Sequence, residues 1–322
     1  MSLRKNISCY IILTMKSKIC IVIIFILTFL SSGCGSSVTS SRYVDFRQTV
    51  PVPQAAAVNK DDHAMKVAIA SVLLPQDTVV YYRAIADYLG RKLGRPVILI
   101  QKNSYAEIAL LLLNGGADMA FFSSGGYANY SGFKGIEMLA SQQRMGLPYY
   151  QGYVLVNADS GIDAIEDLRG KTVAFTDPLS YSGHTFLVQE LKVRGFTPEN
   201  FLGRYLYTDS HDASFKAVVN KVVDAAPVSR VVYDRALENN PAMAKQLKII
   251  AVSPPAGIGP VVAGKSMKAD EKKVLRDSLL TLHEDAEMKK ALHGLSIDRY
   301  VPPQPELFEP IRKMLTENEE QP

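Results

Sequence analysis

All three cysteines of this 322-residue chain lie at or before position 34, so no disulfide can staple the body that follows. A body of that length must instead be held by packed apolar cores, and it divides most naturally into two domains or lobes.

The last cysteine ends the phrase Leu30-Ser31-Ser32-Gly33-Cys34, directly after an apolar run from Ile19 to Leu30 that Lys16 and Lys18 precede. A charged start, an apolar stretch and a zone of small residues make a secretory export segment. The run is short for a hydrocarbon core about 30 Å thick. Met15-Lys16 fits a natural start, and the phrase resembles a bacterial lipobox, with Ser31 where Leu is usual. Residues 1–33 are therefore expected to be a signal peptide and Cys34 the lipid acceptor, with an uncleaved anchor as the rival. Both place the body outside the cytoplasm, in a bacterial cell envelope.

The formal charge of +4 belongs to that segment, which holds Arg4, Lys5, Lys16 and Lys18 and no acid. The remainder is formally neutral, which argues against a nucleic-acid partner. Residues 34–64, rich in Ser, Val, Pro, Ala and Gln without a helical stripe, are expected to be a flexible tether, and 317–322 a polar tail.

From Lys66 onward, short β-prone runs alternate with helix-length apolar patterns. Strands are expected at 66–70, 97–100 and 119–122, and helices at 78–93, 105–113 and from Ser124. A second unit repeats the alternation: strands at 172–175, 204–207 and near Ala225, helices at 183–194, 212–222 and 231–238. This alternation predicts an α/β fold whose sheets are covered on both faces. Lobe 1 is expected over 65–155 and 254–316 and lobe 2 over 156–253, with extended crossings near 153–158 and 248–254 forming a hinge.

Ligands of doubly wound sheets lie beyond the carboxyl ends of strands, where helices begin. Four such exits here are rich in small and hydroxyl residues: 71–78, 123–127, 176–184 and 208–212. Helix starts leave N–H groups unpaired, with the positive end of the dipole beside them. Gly125, Gly126 and Gly183 would let an oxyanion approach, and Ser124, Ser180 and Ser182 would donate hydroxyl hydrogen bonds. Several starts facing one cleft make a tetrahedral-oxyanion site without needing an Arg or Lys. The alternative at each serine is a plain N-cap, worth about 1 kcal/mol. The five histidines form no close ligand pair, so no metal or other cofactor is expected, and no strained nucleophile elbow is present.

The phrases Asp177-Pro178-Leu179-Ser180-Tyr181-Ser182-Gly183, Ser210-His211-Asp212-Ala213 and Val223-Asp224-Ala225-Ala226 resemble the PhnD-like phosphate/phosphite/phosphonate-binding proteins of bacterial ABC transporters. Weaker likenesses lie at 86–89, 116–120 and 162–170, and the similarity spans about 66–315. The resemblance implies a two-lobed Venus-flytrap of the type 2 periplasmic binding protein class. Such a protein is a monomeric non-enzyme that captures a small phosphorus oxyanion and passes it to a permease driven by a cytoplasmic ATPase. The family's oxyanion contacts map onto Ser180, Tyr181, Ser182 and Gly183, with Tyr127 and His211. Asp77, Ser123, Ser124, Gly125 and Ser229 join them as weaker candidates. Tyr181 stands where the family commonly has Thr, and Ser229 where binders of amino-bearing phosphonates commonly have Asp, so aminoethylphosphonate becomes a poor fit. The alternatives are a stand-alone sensory module and, more remotely, an enzyme acting on a phosphorus ester.

Overall fold

The computed structural model describes residues 63–70, 75–132 and 135–319. Cys34, the expected export segment, nearly all of the tether and residues 320–322 lie outside them. Among the described residues no helix is long and apolar enough to cross a membrane.

Thirteen strands are named in chain order: β1 (Met65–Ala70), β2 (Val97–Lys102), β3 (Met119–Phe121), β4 (Glu137–Gln143), β5 (Tyr149–Tyr150), β6 (Gly152–Asn157), β7 (Thr172–Phe175), β8 (Arg204–Tyr207), β9 (Ala225–Ser229), β10 (Leu247–Val252), β11 (Ala256–Gly257), β12 (Val261–Ala263) and β13 (Arg299–Val301). Lobe 1 is a six-stranded sheet in the order β13-β4-β12-β3-β1-β2, and lobe 2 a five-stranded sheet in the order β10-β6-β9-β7-β8. The strands β1, β2 and β3 run parallel, as do β7, β8 and β9, while the strands added at the other side of each sheet run antiparallel.

Alternation along the strands explains why both faces carry helices. Met65, Val67 and Ile69 of β1 point into one core with Ile85 and Leu89 of the helix Pro75–Leu93. Ala68 points into another, with Ile108 and Leu112 of the helix Tyr105–Asn114. Lobe 2 does the same. Val173 and Phe175 meet Phe186 and Leu187 on one side, and Ala174 meets Phe215 and Val218 on the other. A sheet apolar on both faces cannot be left open to water on either.

Each lobe fastens its parallel strands with one acid. Asp118, just before β3, accepts from the Lys66 N–H of β1 at 2.9 Å, and Asp224, just before β9, accepts from the Thr172 N–H of β7 at 2.7 Å. The phrases 116–120 and 223–226 therefore serve the fold. Asp118 is also paired with Arg95, which reaches Glu271.

The crossings lie slightly away from the expected places. The run Tyr153–Val156 is an internal strand, because Val154 and Val156 face one core and Leu155 the other. The chain thus enters the second sheet at Gly152, before the expected 155/156 boundary, and β10 lies antiparallel to β6 inside lobe 2. The connections run side by side next to these strands, with Gln151 Nε2 donating to Ser253 O and Gly152 N–H to Ser253 Oγ. The strands β5 and β11 pair alongside them. The C-terminal helix Glu309–Glu319 extends into the expected polar tail and packs against the helices Ser124–Tyr130 and Phe186–Lys192, one from each lobe.

Asp285 tests the local logic away from the cleft. It caps the helix Ala286–Gly294, its Oδ1 accepting from the Glu287 and Met288 N–H groups at 3.0 and 3.2 Å. Asp285→Ala is expected to lower stability by about 1 kcal/mol, read as a lower urea midpoint at unchanged slope.

Candidate functional site

A cleft between the lobes is walled on the lobe 1 side by Tyr82, Tyr105, Phe122, Ser123, Ser124, Gln142 and Arg144, on the other by Ser180, Tyr181, His211, Ser229 and Val231, with Tyr150 between. Its cavity has a volume of about 50 Å³, above the roughly 10–15 Å³ that a single water needs. Among the described residues no Asp or Glu lines it.

Helix starts supply most of the polar wall. Ser123 Oγ accepts from Gly126 N–H, Ser180 Oγ from Gly183 N–H, and Ser229 Oγ from Val231 N–H. Capping and ligand contact are thus compatible in one residue. A hydroxyl that accepts as a cap still holds a proton to donate. Tyr105 adds a further donor, since its hydroxyl is buried, lies toward Ser180 and has no formed hydrogen bond.

His211 is the best-defined of these groups. Its Nδ1 accepts from the Ser229 N–H at 3.1 Å, which assigns the ring proton to Nε2, and Nε2 lies 3.4 Å from Ser180 Oγ. Burial alone pushes its pKa from 6.5 down to about 3. The ring is therefore neutral at physiological pH and presents one N–H donor to the cleft.

Other expected residues are placed differently. Tyr127 is not on the cleft wall: its ring packs edge-on against Phe308 at 4.7 Å and under Arg312, securing the C-terminal helix. Ser182 is fully buried one layer back and receives the Tyr150 hydroxyl at 3.3 Å. Gly183 is required for packing, because a methyl group there would lie 2.8 Å from His211 Cε1. Gly125 sits at the contact between lobes, where a methyl group would meet Leu179 O at 2.0 Å. Tyr181 directs its hydroxyl to Pro254 O at 2.6 Å and gives the cleft only its ring. Asp77 lies in the first turn of the helix Pro75–Leu93, with its side chain outside the described residues.

Sequence reasoning missed Tyr82, Tyr105, Tyr150 and Arg144. Tyr105 starts a helix just beyond β2, a position the strand-exit rule could have flagged. Arg144 has no local signal. It follows β4 directly and stands in this wall beside the helix-start donors.

Over residues 67–308 the sequence matches the family described as ABC transporter, phosphonate, periplasmic substrate-binding protein. The chain belongs to that family. Among its relatives, the phosphate-import protein PhnD of Mycolicibacterium smegmatis is 27% identical over 184 residues, covering 54% of this chain and 57% of that protein. The chain thus spans little more than half the length of that relative. The phosphonates-binding periplasmic protein of Escherichia coli is 26% identical over 253 residues, covering 74% of this chain and 72% of the other. In fold, a binding component of a phosphonate ABC transporter from Pseudomonas aeruginosa superposes with a TM-score of 0.72 at 24% identity, covering 80% of this chain and 86% of its own. A Prochlorococcus marinus protein solved with methylphosphonate gives 0.72 at 17% identity, covering 80% of this chain and 99% of its own. These likenesses show the two-lobed α/β periplasmic binding protein fold.

Proposed function

We propose that this phosphonate-family protein captures a small phosphorus oxyanion between its lobes and delivers it to an ABC permease powered by a cytoplasmic ATPase. The observation that carries this reading is the cleft itself. Helix starts from both lobes, a neutral histidine donor and the Tyr105 hydroxyl converge on it, and among the described residues no carboxylate lines it. Such an array solvates a small anion through donors already held in place, so little ordering is needed on binding. The chemistry is non-covalent, with Tyr105, Ser180, His211 and Ser229 as direct donors. The named roles of the relatives, phosphate import and phosphonate binding, lie within this ligand class.

Residues 1–33 serve as the export signal and acylated Cys34 ties the protein to the envelope membrane, with 34–64 as the tether. Loss of membrane association in Cys34→Ser is the corresponding readout.

Isothermal titration of the exported form with phosphate, phosphite, methylphosphonate and 2-aminoethylphosphonate tests the ligand class. One-to-one binding of at least one of the first three is expected, with 2-aminoethylphosphonate weakest because Ser229 offers no carboxylate to an ammonium group. Silence with all four removes the phosphorus reading.

A further inference from the structure

Arg144 is a cleft-wall cation whose hydrogen bonds all go to neutral oxygens. Its Nη1 donates to Leu295 O and Ser296 O at 2.5 and 3.0 Å, and its Nη2 to Gln142 Oε1 at 3.0 Å. Its Nε is buried and has no partner. The carboxylate that acts on it, Asp298, directs its Oδ2 to Gly146 N–H at 2.7 Å, and Arg235 adds a second positive charge nearby. Tyr82 and Tyr300 face it with hydroxyls that burial keeps protonated. A buried guanidinium edge without an anion carries a desolvation cost that an incoming anion relieves, and its fork suits a carboxylate.

Its position separates it from the helix-start donors of lobe 2. Arg144 stands in the lobe 1 wall, while Ser180, His211 and Ser229 stand in lobe 2. It also lines a second cavity of about 40 Å³ together with Tyr150 and Val231, both of which line the first. The space beside the oxyanion donors therefore continues past Arg144. Among the described residues no carboxylate lines the first cavity, and Asp234, which lines the second with Arg230, is already paired with that arginine at 2.9 Å, so an ammonium group carried there would meet like charge without a free counter-ion.

We propose that the Nε edge of Arg144 holds a second anionic group on the ligand, so that the cleft selects a phosphonate bearing a carboxylate over one bearing an ammonium group. The inference rests on the phosphorus-oxyanion reading above and names the substrate class within it.

Three probes of similar size decide it: phosphonoacetate, methylphosphonate and 2-aminoethylphosphonate, titrated into wild type, Arg144→Gln and Arg144→Lys. Wild type is expected to bind phosphonoacetate tightest and 2-aminoethylphosphonate weakest. One charge-assisted contact corresponds to about tenfold or more between phosphonoacetate and methylphosphonate. Arg144→Gln abolishes that preference, and Arg144→Lys, which keeps charge without the fork, retains part of it. A wild type that binds methylphosphonate as tightly as phosphonoacetate overturns the assignment of Arg144 while leaving the oxyanion reading standing. Equal losses for both ligands in Arg144→Gln also overturn it, and leave Arg144 as a brace for the 295–296 carbonyls. Binding of none of the three by wild type overturns the assignment of Arg144, and the phosphate and phosphite titrations then decide the oxyanion reading separately. The wild-type ranking stands even where a variant folds poorly.

Discussion

His211→Asn is expected to weaken oxyanion binding on the order of a hundredfold while leaving the protein folded. The asparagine amide oxygen can take over the role of Nδ1, accepting the Ser229 N–H that His211 now satisfies at 3.1 Å. It cannot reach the place of Nε2, so the ligand loses a donor aimed by a buried, fixed ring. A hydrogen bond to a charged group is worth roughly 1.5–3 kcal/mol, and the upper end applies where the site excludes water. His211→Gln, whose amide nitrogen falls closer to Nε2, is expected to keep more affinity than His211→Asn. Near-wild-type titrations of both variants would remove His211 from the site.

The same residue gives the protein an acid sensitivity. The unfolded chain protonates this imidazole near 6.5, whereas burial holds the folded one neutral down to about 3. Between those values the unfolded state binds more protons, so stability falls as pH falls through that window and is unaffected above it. His184, lowered to about 4 chiefly by burial against Phe175, acts in the same direction. His211→Asn should remove its own share and leave that of His184, which melting curves of the two proteins at pH 7 and pH 5 would register.

The helix starts of the cleft were legible because capping is local chemistry. Ser123, Ser180, Ser210 and Ser229 each cap an N–H two or three residues ahead, and that pattern is written in adjacent residues. Which side chain of a first turn then faces the gap depends on how the helix is rotated against its neighbours. Tyr127 was misplaced for this reason, since its direction is set by Phe308 and Arg312 far along the chain. The strand β4 was invisible for a related one. Its residues Ser141 and Gln142 are buried polar groups satisfied by Gln304 N–H and Gly259 O, partners that no local window contains. Arg144, at the end of that strand, was hidden with it. The parallel strands were recovered because their apolar runs are buried on both faces.

Gly125→Ala is expected to separate ligand capture from folding. In the arrangement seen here the backbone of Gly125 in lobe 1 lies against Leu179 and Tyr181 in lobe 2, and an added methyl group would sit 2.0 Å from Leu179 O and 2.9 Å from Tyr181 N. Both neighbours are backbone, held by the Asp177–Leu179 turn and by the bond from Tyr105 N–H to Asp177 Oδ2 at 3.1 Å, which itself joins the lobes. Nothing flexible can give way, so the lobes must stay apart. Gly125 lies within the helix Ser124–Tyr130 with no special backbone angle, and there alanine favours the helix by roughly 1 kcal/mol. The penalty falls on closure alone. Overpacking against fixed backbone costs about 3 kcal/mol, which is on the order of a hundredfold in affinity. Titration should show that loss while the urea midpoint without ligand holds or rises, and solution scattering should show no contraction on adding ligand. Wild-type affinity in Gly125→Ala would mean that the ligand is held without the lobe contact, and the Tyr105–Asp177 bond would then have no part in retaining it.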